Sequence, residues 1–242
     1  KIDSPLDRPS WLKAATNRLG IEVMKGINQS SAITTSSLFS LSLLTETSQT
    51  LDKKIVNKRI ELFIDLIKRN QNFKDVWLTE DSPEKIITKT EELGLINSQL
   101  IGGERVFRPT RNEAALLSFY QNNISHFYLL YSLICLSLKY VEELSEKELI
   151  RLAKLVYPFL QSDFYLPWSN EQIDQVVLNN LKVLIKLGLI VRKDKDLLTK
   201  PEIGSKEYRD FLALSNISEP SIKRFYIVMS TLWREEIDIL EL

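Results

Sequence analysis

The sequence predicts a mainly α-helical protein: a helical bundle that contains two duplicated helix–helix–β-hairpin units. Apolar residues recur at i, i+3, i+4 and i+7 over most of the chain, which is the spacing of one buried helix face. Serine, proline and glycine stand where such helices begin and end. Only 7 of the 242 residues are glycine, which argues against folds built on glycine-rich loops.

The first unit opens with an amphipathic helix, whose apolar residues are Val56, Ile60, Phe63, Ile64 and Ile67. Ser82-Pro83 predicts the start of the next helix, because serine is a good N-cap and proline is favoured in the first turn. Gly94 predicts its end, since glycine adopts the left-handed conformation that closes helices. A Gly102-Gly103 turn then predicts a hairpin that returns through Val106-Phe107.

The second unit shows the same order of signals. Ser145 and Glu148 form a capping box, and behind it an apolar stripe follows: Leu149, Leu152, Ala153 and Val156. Ser169 and Gln172 predict a second capping box, and the stripe behind that one is Ile173, Val176, Val177, Leu181, Leu184 and Ile185. Gly188 predicts the end of this helix, and a charged turn at residues 192–196 predicts the hairpin.

The duplication indicates a module that resembles a winged helix. We predict an N-terminal helical unit over residues 1–110, a second helical unit over 111–200, each ending in a hairpin, and a C-terminal helical segment over 201–242. An irregular all-α domain with incidental hairpins remains the alternative.

Composition argues against several classes of protein. The 32 basic and 32 acidic residues balance, so nothing in the net charge attracts nucleic acid or anionic membrane. The single cysteine, Cys135, allows no intramolecular disulfide, and with the single histidine, His126, it does not make a conventional zinc site. No glycine-rich nucleotide motif and no G-x-S-x-G motif occur. We therefore expect no metal and no cofactor.

The candidate site residues are Asn122, Asn123 and His126, and we predict a structural rather than a catalytic role for them. They precede the most apolar segment of the chain, residues 127–138, where a helix entering the core needs its backbone groups satisfied. An acyltransferase motif H-x-x-x-x-D from His126 would need aspartate at position 131, which is Tyr131. No catalytic residue is assigned, and no substrate-binding residue is known.

Residues 127–138 are too short to cross a bilayer, which takes about 20 residues. They predict a buried core helix; an interfacial membrane helix is the alternative, but such helices carry more lysine and arginine. The helices before the hairpins would read DNA in a winged-helix protein, yet both are close to neutral. We therefore expect no specific nucleic-acid binding. Three adjacent glutamate pairs are interpreted as solvated faces: Glu91-Glu92, Glu142-Glu143 and Glu235-Glu236.

Several strings, in order, resemble the C-terminal region of the bacterial membrane-associated glycerol-3-phosphate 1-O-acyltransferase family. They are Arg8-Pro9-Ser10-Trp11-Leu12, Ile27-Asn28-Gln29-Ser30, Phe119 to His126 with the pattern Y-x-N-N-I-x-H, Tyr157 to Trp168, and Gly188-Leu189-Ile190. Where the family has lysine and arginine in the fourth string, this chain has Gln161 and Pro167. If those positions meet an anionic partner in the family, that charge is lost here.

The resemblance implies a parent enzyme that transfers a fatty acyl group from acyl-CoA or acyl-carrier protein to glycerol 3-phosphate. It implies a peripheral protein at the cytoplasmic face of the inner membrane, whose upstream acyltransferase domain is the partner of this region. The family's H-x-x-x-x-D motif does not occur in this sequence, so the region itself is expected to be non-catalytic. The chain begins at Lys1 without methionine or an apolar signal sequence, and we expect it to be processed or cut from a longer protein. A stand-alone winged-helix-like module that binds a protein or, less favoured, nucleic acid is the alternative.

Overall fold

The computed structural model describes residues 9–46, 50–73 and 76–235. Within those ranges the fold is mainly helical, as predicted, with small antiparallel sheets. The helices are α1 (Ser10–Gln29), α2 (Thr35–Leu44), α3 (Lys53–Arg69), α4 (Pro83–Glu92), α5 (Arg111–Ser125), α6 (Leu129–Lys139), α7 (Glu146–Phe164), α8 (Ile173–Lys186) and α9 (Lys206–Glu235). The strands are β1 (Leu51–Asp52), β2 (Ser98–Ile101), β3 (Glu104–Phe107), β4 (Glu143–Ser145), β5 (Val191–Arg192) and β6 (Leu197–Thr199).

One order of elements occurs twice along the chain. The first series is α2, β1, α3, α4, β2, β3, α5, and the second is α6, β4, α7, α8, β5, β6, α9. A short 3-10 turn at Gln71–Phe73 separates α3 from α4. The two sheets also share a strand order, β1-β3-β2 and β4-β6-β5, with every pairing antiparallel. The hairpins were predicted, whereas the short first strand of each sheet was not.

Local sequence signals set most of the helix boundaries. The Ser82 side chain accepts a hydrogen bond from the Lys85 amide at the start of α4. Ser145 and Glu148 form the predicted capping box of α7. Gly94 and Gly188 follow α4 and α8 with φ of +67° and +72°. Because a residue with a Cβ atom is strained in this left-handed conformation, glycine is favoured at both positions.

The predicted capping box at Ser169 is wrong in part. Helix α8 begins at Ile173, and its N-cap, Gln172, makes no side-chain cap. The Gln172 side chain does accept from the Ser169 amide at 2.9 Å, which is half of the box. The Ser169 hydroxyl nearby lowers the pKa of the Glu171 carboxyl. The helix therefore starts later than predicted, without a side-chain cap.

Helix α6 forms the centre of the core, as predicted for residues 127–138. Every residue from Leu129 to Leu136 is buried, and Cys135 is a buried free thiol whose pKa is raised by that burial. Two tyrosines tie α6 to α3: the Tyr128 hydroxyl donates to the Phe63 carbonyl at 3.2 Å, and the Tyr131 hydroxyl to the Leu66 carbonyl at 3.3 Å. The two series of elements thus share one hydrophobic core.

Two helices extend beyond this core. No residue of α1 is buried. The last three turns of α9 carry exposed apolar side chains: Tyr226, Ile227, Val228, Met229 and Trp233. Both helices leave the core near the same place, because Asn28 in α1 contacts Phe164 and Arg224 in α9 contacts Asp163.

Candidate functional site

His126 joins α5 to α1. It is the C-cap of α5, is 7% exposed, and its Nε2 lies 2.9 Å from the Asn28 carbonyl oxygen. A carbonyl oxygen only accepts, so Nε2 carries the proton and donates. Burial disfavours the charged imidazolium and lowers the pKa of His126 to about 4, although the hydrogen bond to Asn28 opposes the shift. At neutral pH the imidazole ring is therefore neutral, and it donates a hydrogen bond to the backbone carbonyl of Asn28.

Asn28 extends this contact to α7. Its side-chain Nδ2 donates to the Phe164 carbonyl at 2.6 Å. Phe164 is the last residue of α7, and Tyr165 after it adopts the left-handed conformation with φ of +49°. Asn28 therefore links the ends of three helices, α1, α5 and α7, which lie far apart in sequence. We call Asn28, His126 and Phe164 the Asn28 junction.

The loop after Tyr165 is held against α7 by side chains of that helix. The Tyr157 hydroxyl and the Gln161 amide both donate to the Trp168 carbonyl, each at 2.6 Å. Gln161 stands where the family resemblance implies lysine. Here the Gln161 side-chain amide hydrogen-bonds backbone carbonyls of the loop. Gln161 therefore has a partner within this chain.

An aromatic series packs behind the junction. The ring centroids of His126 and Phe127 lie 3.9 Å apart. Those of Phe127 and Phe73 lie 4.9 Å apart, and those of Phe73 and Trp168 lie 5.8 Å apart. The last two contacts are edge-to-face, a favoured geometry for aromatic pairs. Phe73 comes from the first series of elements and Trp168 from the second, so the aromatic rings join the two halves beside the Asn28 junction.

Asn122 and Asn123 take no part in the hydrogen bonds that form the Asn28 junction. Both are exposed on α5, and within the described residues neither forms a side-chain hydrogen bond that would satisfy the helix end. Their structural role stays a prediction. Sequence reasoning, conversely, assigned no role to Asn28. Its only signal was its place in one of the strings that carry the family resemblance.

The described members of the glutamate pairs 91–92 and 142–143 contact separate partners and do not form a catalytic dyad. Glu91 contacts Ser98 and Arg105, while Glu142 pairs with Lys200 and Glu143 with Lys193. Glu236 lies outside the described residues. Among residues 9–46, 50–73 and 76–235, no group of three or more His, Cys, Asp or Glu side chains could hold a metal ion. No helix in that part of the chain is long and apolar enough to cross a membrane.

The three strings that meet at the junction are among the five that carry the family resemblance, and comparison with known proteins agrees. The model of the family described as the glycerol-3-phosphate acyltransferase C-terminal region matches residues 2–240. Glycerol-3-phosphate acyltransferases from Pseudomonas fluorescens and Pseudomonas putida are each 28% identical to this chain over 228 residues, and one from Pseudomonas aeruginosa is 27% identical over 228 residues.

Each alignment covers 94% of this chain and 27% of the relative. The chain therefore spans about a quarter of the length of the curated relatives it matches. With the family model matched over nearly its whole length, the chain belongs to the glycerol-3-phosphate acyltransferase C-terminal region family.

Proposed function

We propose that this chain is the non-catalytic C-terminal portion of a glycerol-3-phosphate 1-O-acyltransferase. The observation that carries the proposal is the family match over residues 2–240. The whole protein would transfer an acyl group from acyl-CoA or acyl-carrier protein to the 1-hydroxyl of glycerol 3-phosphate. The product would be lysophosphatidic acid, an early intermediate of phospholipid synthesis.

The chemistry of the residues present supports a non-catalytic role. Deprotonating a hydroxyl needs a base that is free to accept a proton. His126 is the single histidine of the sequence; its Nε2 donates to the Asn28 carbonyl, and burial lowers its pKa to about 4, which makes the remaining nitrogen, Nδ1, a weak base at neutral pH. The acidic partner of an H-x-x-x-x-D pair would fall at position 131, which is a tyrosine. The catalytic pair would then lie in the upstream acyltransferase domain.

We also propose that the two series of elements are winged-helix-like units that act as packing modules. Their shared element order and strand order support this interpretation. That order favours units over residues 35–125 and 129–235, whereas the sequence predicted divisions after residues 110 and 200; both divisions remain proposals.

Charge supports packing rather than DNA reading. Lys85 and Lys89 of α4 both pair with Asp81, and Asp174 of α8 pairs with Lys154. Lysines that are paired with carboxylates contribute less to phosphate neutralisation, which supplies most non-specific affinity for DNA.

The whole protein is proposed to act peripherally at the cytoplasmic face of the inner membrane. Family resemblance supports this location. Cell fractionation tests it: the full-length protein should sediment with inner membranes, and release by high salt or alkaline carbonate would identify peripheral attachment. Retention after both washes would contradict it.

An acyl-transfer assay tests the main proposal. The full-length protein should esterify radiolabelled glycerol 3-phosphate with palmitoyl-CoA, and the 242-residue chain alone should not. His126→Ala in the full-length protein should leave the turnover number per folded enzyme unchanged. Turnover by the isolated chain that His126→Ala abolishes would overturn the proposal.

A further inference from the structure

Helix α1 exposes apolar side chains that nothing in the described structure covers. It is 20 residues long and has no buried residue. Leu19 is 66% exposed, Val23 51% and Ile27 54%. Leaving such side chains in water forgoes the free energy that their burial would release, and an exposed contiguous apolar face marks an interaction site.

Four of the seven large apolar side chains that α1 exposes form a narrow seam, and the other three, Trp11, Ile21 and Met24, lie outside it. At 100° per residue, Leu12, Leu19, Val23 and Ile27 lie within an arc of about 80°. With Thr16, these positions are three or four residues apart, which is the spacing of one helix face that can pack against another element. The charged residues Lys13, Arg18, Glu22 and Lys25 lie off this arc, and Glu22 pairs with Lys25 at 3.1 Å. We call Leu12, Leu19, Val23 and Ile27 the α1 seam.

Two glycines flank the α1 seam, Gly26 on one side and Gly20 on the other. A Cβ built on either would meet nothing within 4 Å, so no contact in this structure requires glycine there. Glycine inside a helix is unfavourable relative to alanine. Missing side chains beside an apolar seam allow another backbone to approach closely. A lipid surface would gain nothing from them, so the glycines favour a polypeptide partner.

Among the described residues, the Asn28 junction holds α1 by its C-terminal end. Asn28 and Lys25 are the partly buried positions near that end, and they lie on the side of the helix opposite the α1 seam. The junction therefore orients the helix with the seam facing away from the core.

We infer that the α1 seam docks against the polypeptide that precedes this region in the whole protein, with Gly20 and Gly26 admitting its backbone. The inference rests on the proposed function for the identity of that segment. In the relatives, the matched C-terminal region is 27% of the length, so a much larger part of the polypeptide precedes α1. Covalent linkage gives that part a high effective concentration at the seam, which a second copy does not have.

Site-specific photo-crosslinking in the purified full-length protein tests this docking. Replacing Val23 by p-benzoylphenylalanine should give intramolecular cross-links to peptides upstream of this region. The matched control is the same replacement at Ala14, which is exposed on the opposite side of α1 and should give none. Cross-links from position 23 to a second copy or to added lipid, or equal yields from both positions, would overturn the inference.

A second variant tests the role of glycine. Gly26→Leu should lower the cross-link yield from position 23 by about tenfold or more, because its side chain would block close approach of another backbone, whereas Ala14→Leu should leave the yield unchanged. Hydrogen exchange of α6 peptides in the same samples checks that each variant is folded. An unchanged yield in folded Gly26→Leu would contradict the close approach. Acyl transfer is measured on the same wild-type protein: cross-linking without transfer refutes the proposed function alone, and transfer without cross-linking refutes the docking alone.

Discussion

Helices α1 and α6 both carry large apolar side chains, yet the two helices differ completely in burial. Every residue of α6 from Leu129 to Leu136 is buried, and its polar Ser132 is satisfied by Ser218 at 2.8 Å. No residue of α1 is buried. The difference shows that apolar side chains favour burial, but that burial also requires a packing partner, which the helix's own sequence does not provide. The partners of α6 lie within this chain, and those of α1 are proposed to lie outside it.

Truncating one apolar side chain in each helix should give the largest contrast. Ile134→Ala in α6 removes a fully buried side chain and should lower the free energy of unfolding by about 2–5 kcal/mol. Leu19→Ala in α1 should change it by less than about 0.5 kcal/mol, because Leu19 contacts mainly solvent. Urea denaturation of the 242-residue chain measures both. Equal losses would mean that α1 is covered in the isolated chain.

Acid should weaken the junction that joins α1 to the core. The folded-state pKa of His126, about 4, lies below its ordinary value of 6.5. Between these values the unfolded chain binds more protons, so the stability from His126 is complete above about pH 6.5 and is lost as pH falls to about 4. The loss should reach at most about 3 kcal/mol.

His126→Gln provides the control for this pH dependence. Glutamine keeps a side-chain donor but does not titrate, so the wild type should lose more stability than the variant between pH 6.5 and 4. Carboxylates titrate in both proteins and cancel in the difference. Parallel pH profiles of the urea midpoint would show that His126 is not buried in its neutral form.

Side-chain removal separates the two ends of the Asn122–His126 segment. His126→Ala strands the Asn28 carbonyl and should lower the free energy of unfolding by about 1–3 kcal/mol. The sequence led us to expect a loss at Asn123→Ala as well. Its exposure in the structure now favours a change below about 0.5 kcal/mol. Thermal melts of both variants measure these changes in stability. A loss of stability above about 0.5 kcal/mol in Asn123→Ala would support the sequence-based expectation instead.

The smallest expected effect is on nucleic-acid binding. The α1 seam is apolar and the chain has a formal net charge of zero, so binding to duplex DNA should be weak, non-specific and sensitive to salt. A gel shift at physiological salt measures it. Sub-micromolar, sequence-dependent binding would identify DNA as a partner of this chain. It would contradict the view that α1 differs from α6 only in lacking a polypeptide partner within the chain.

Signals within a few residues of each other were readable from the sequence. Ser82, Pro83, Ser145 and Glu148 set helix starts, because a cap needs only the amides of the next turn. Gly94 and Gly188 marked helix ends for an equally local reason. The buried segment over residues 127–138 was readable as well, because so long an apolar run has no polar face to turn toward water.

Tertiary structure decided what depends on distant partners. Strands β1 and β4 contain only two and three residues, too few to show a period, and they exist because they pair with β3 and β6. Arg59 is buried because the fold brings its guanidinium 2.7 Å from Glu46. The Asn28 junction joins residues separated by 98 and 136 positions. The sequence by itself determined where helices begin and end and which segments are apolar enough to be buried, since these properties depend on residues close together in the chain. Which surfaces contact each other was decided by the tertiary structure, because it depends on packing the whole chain around one core.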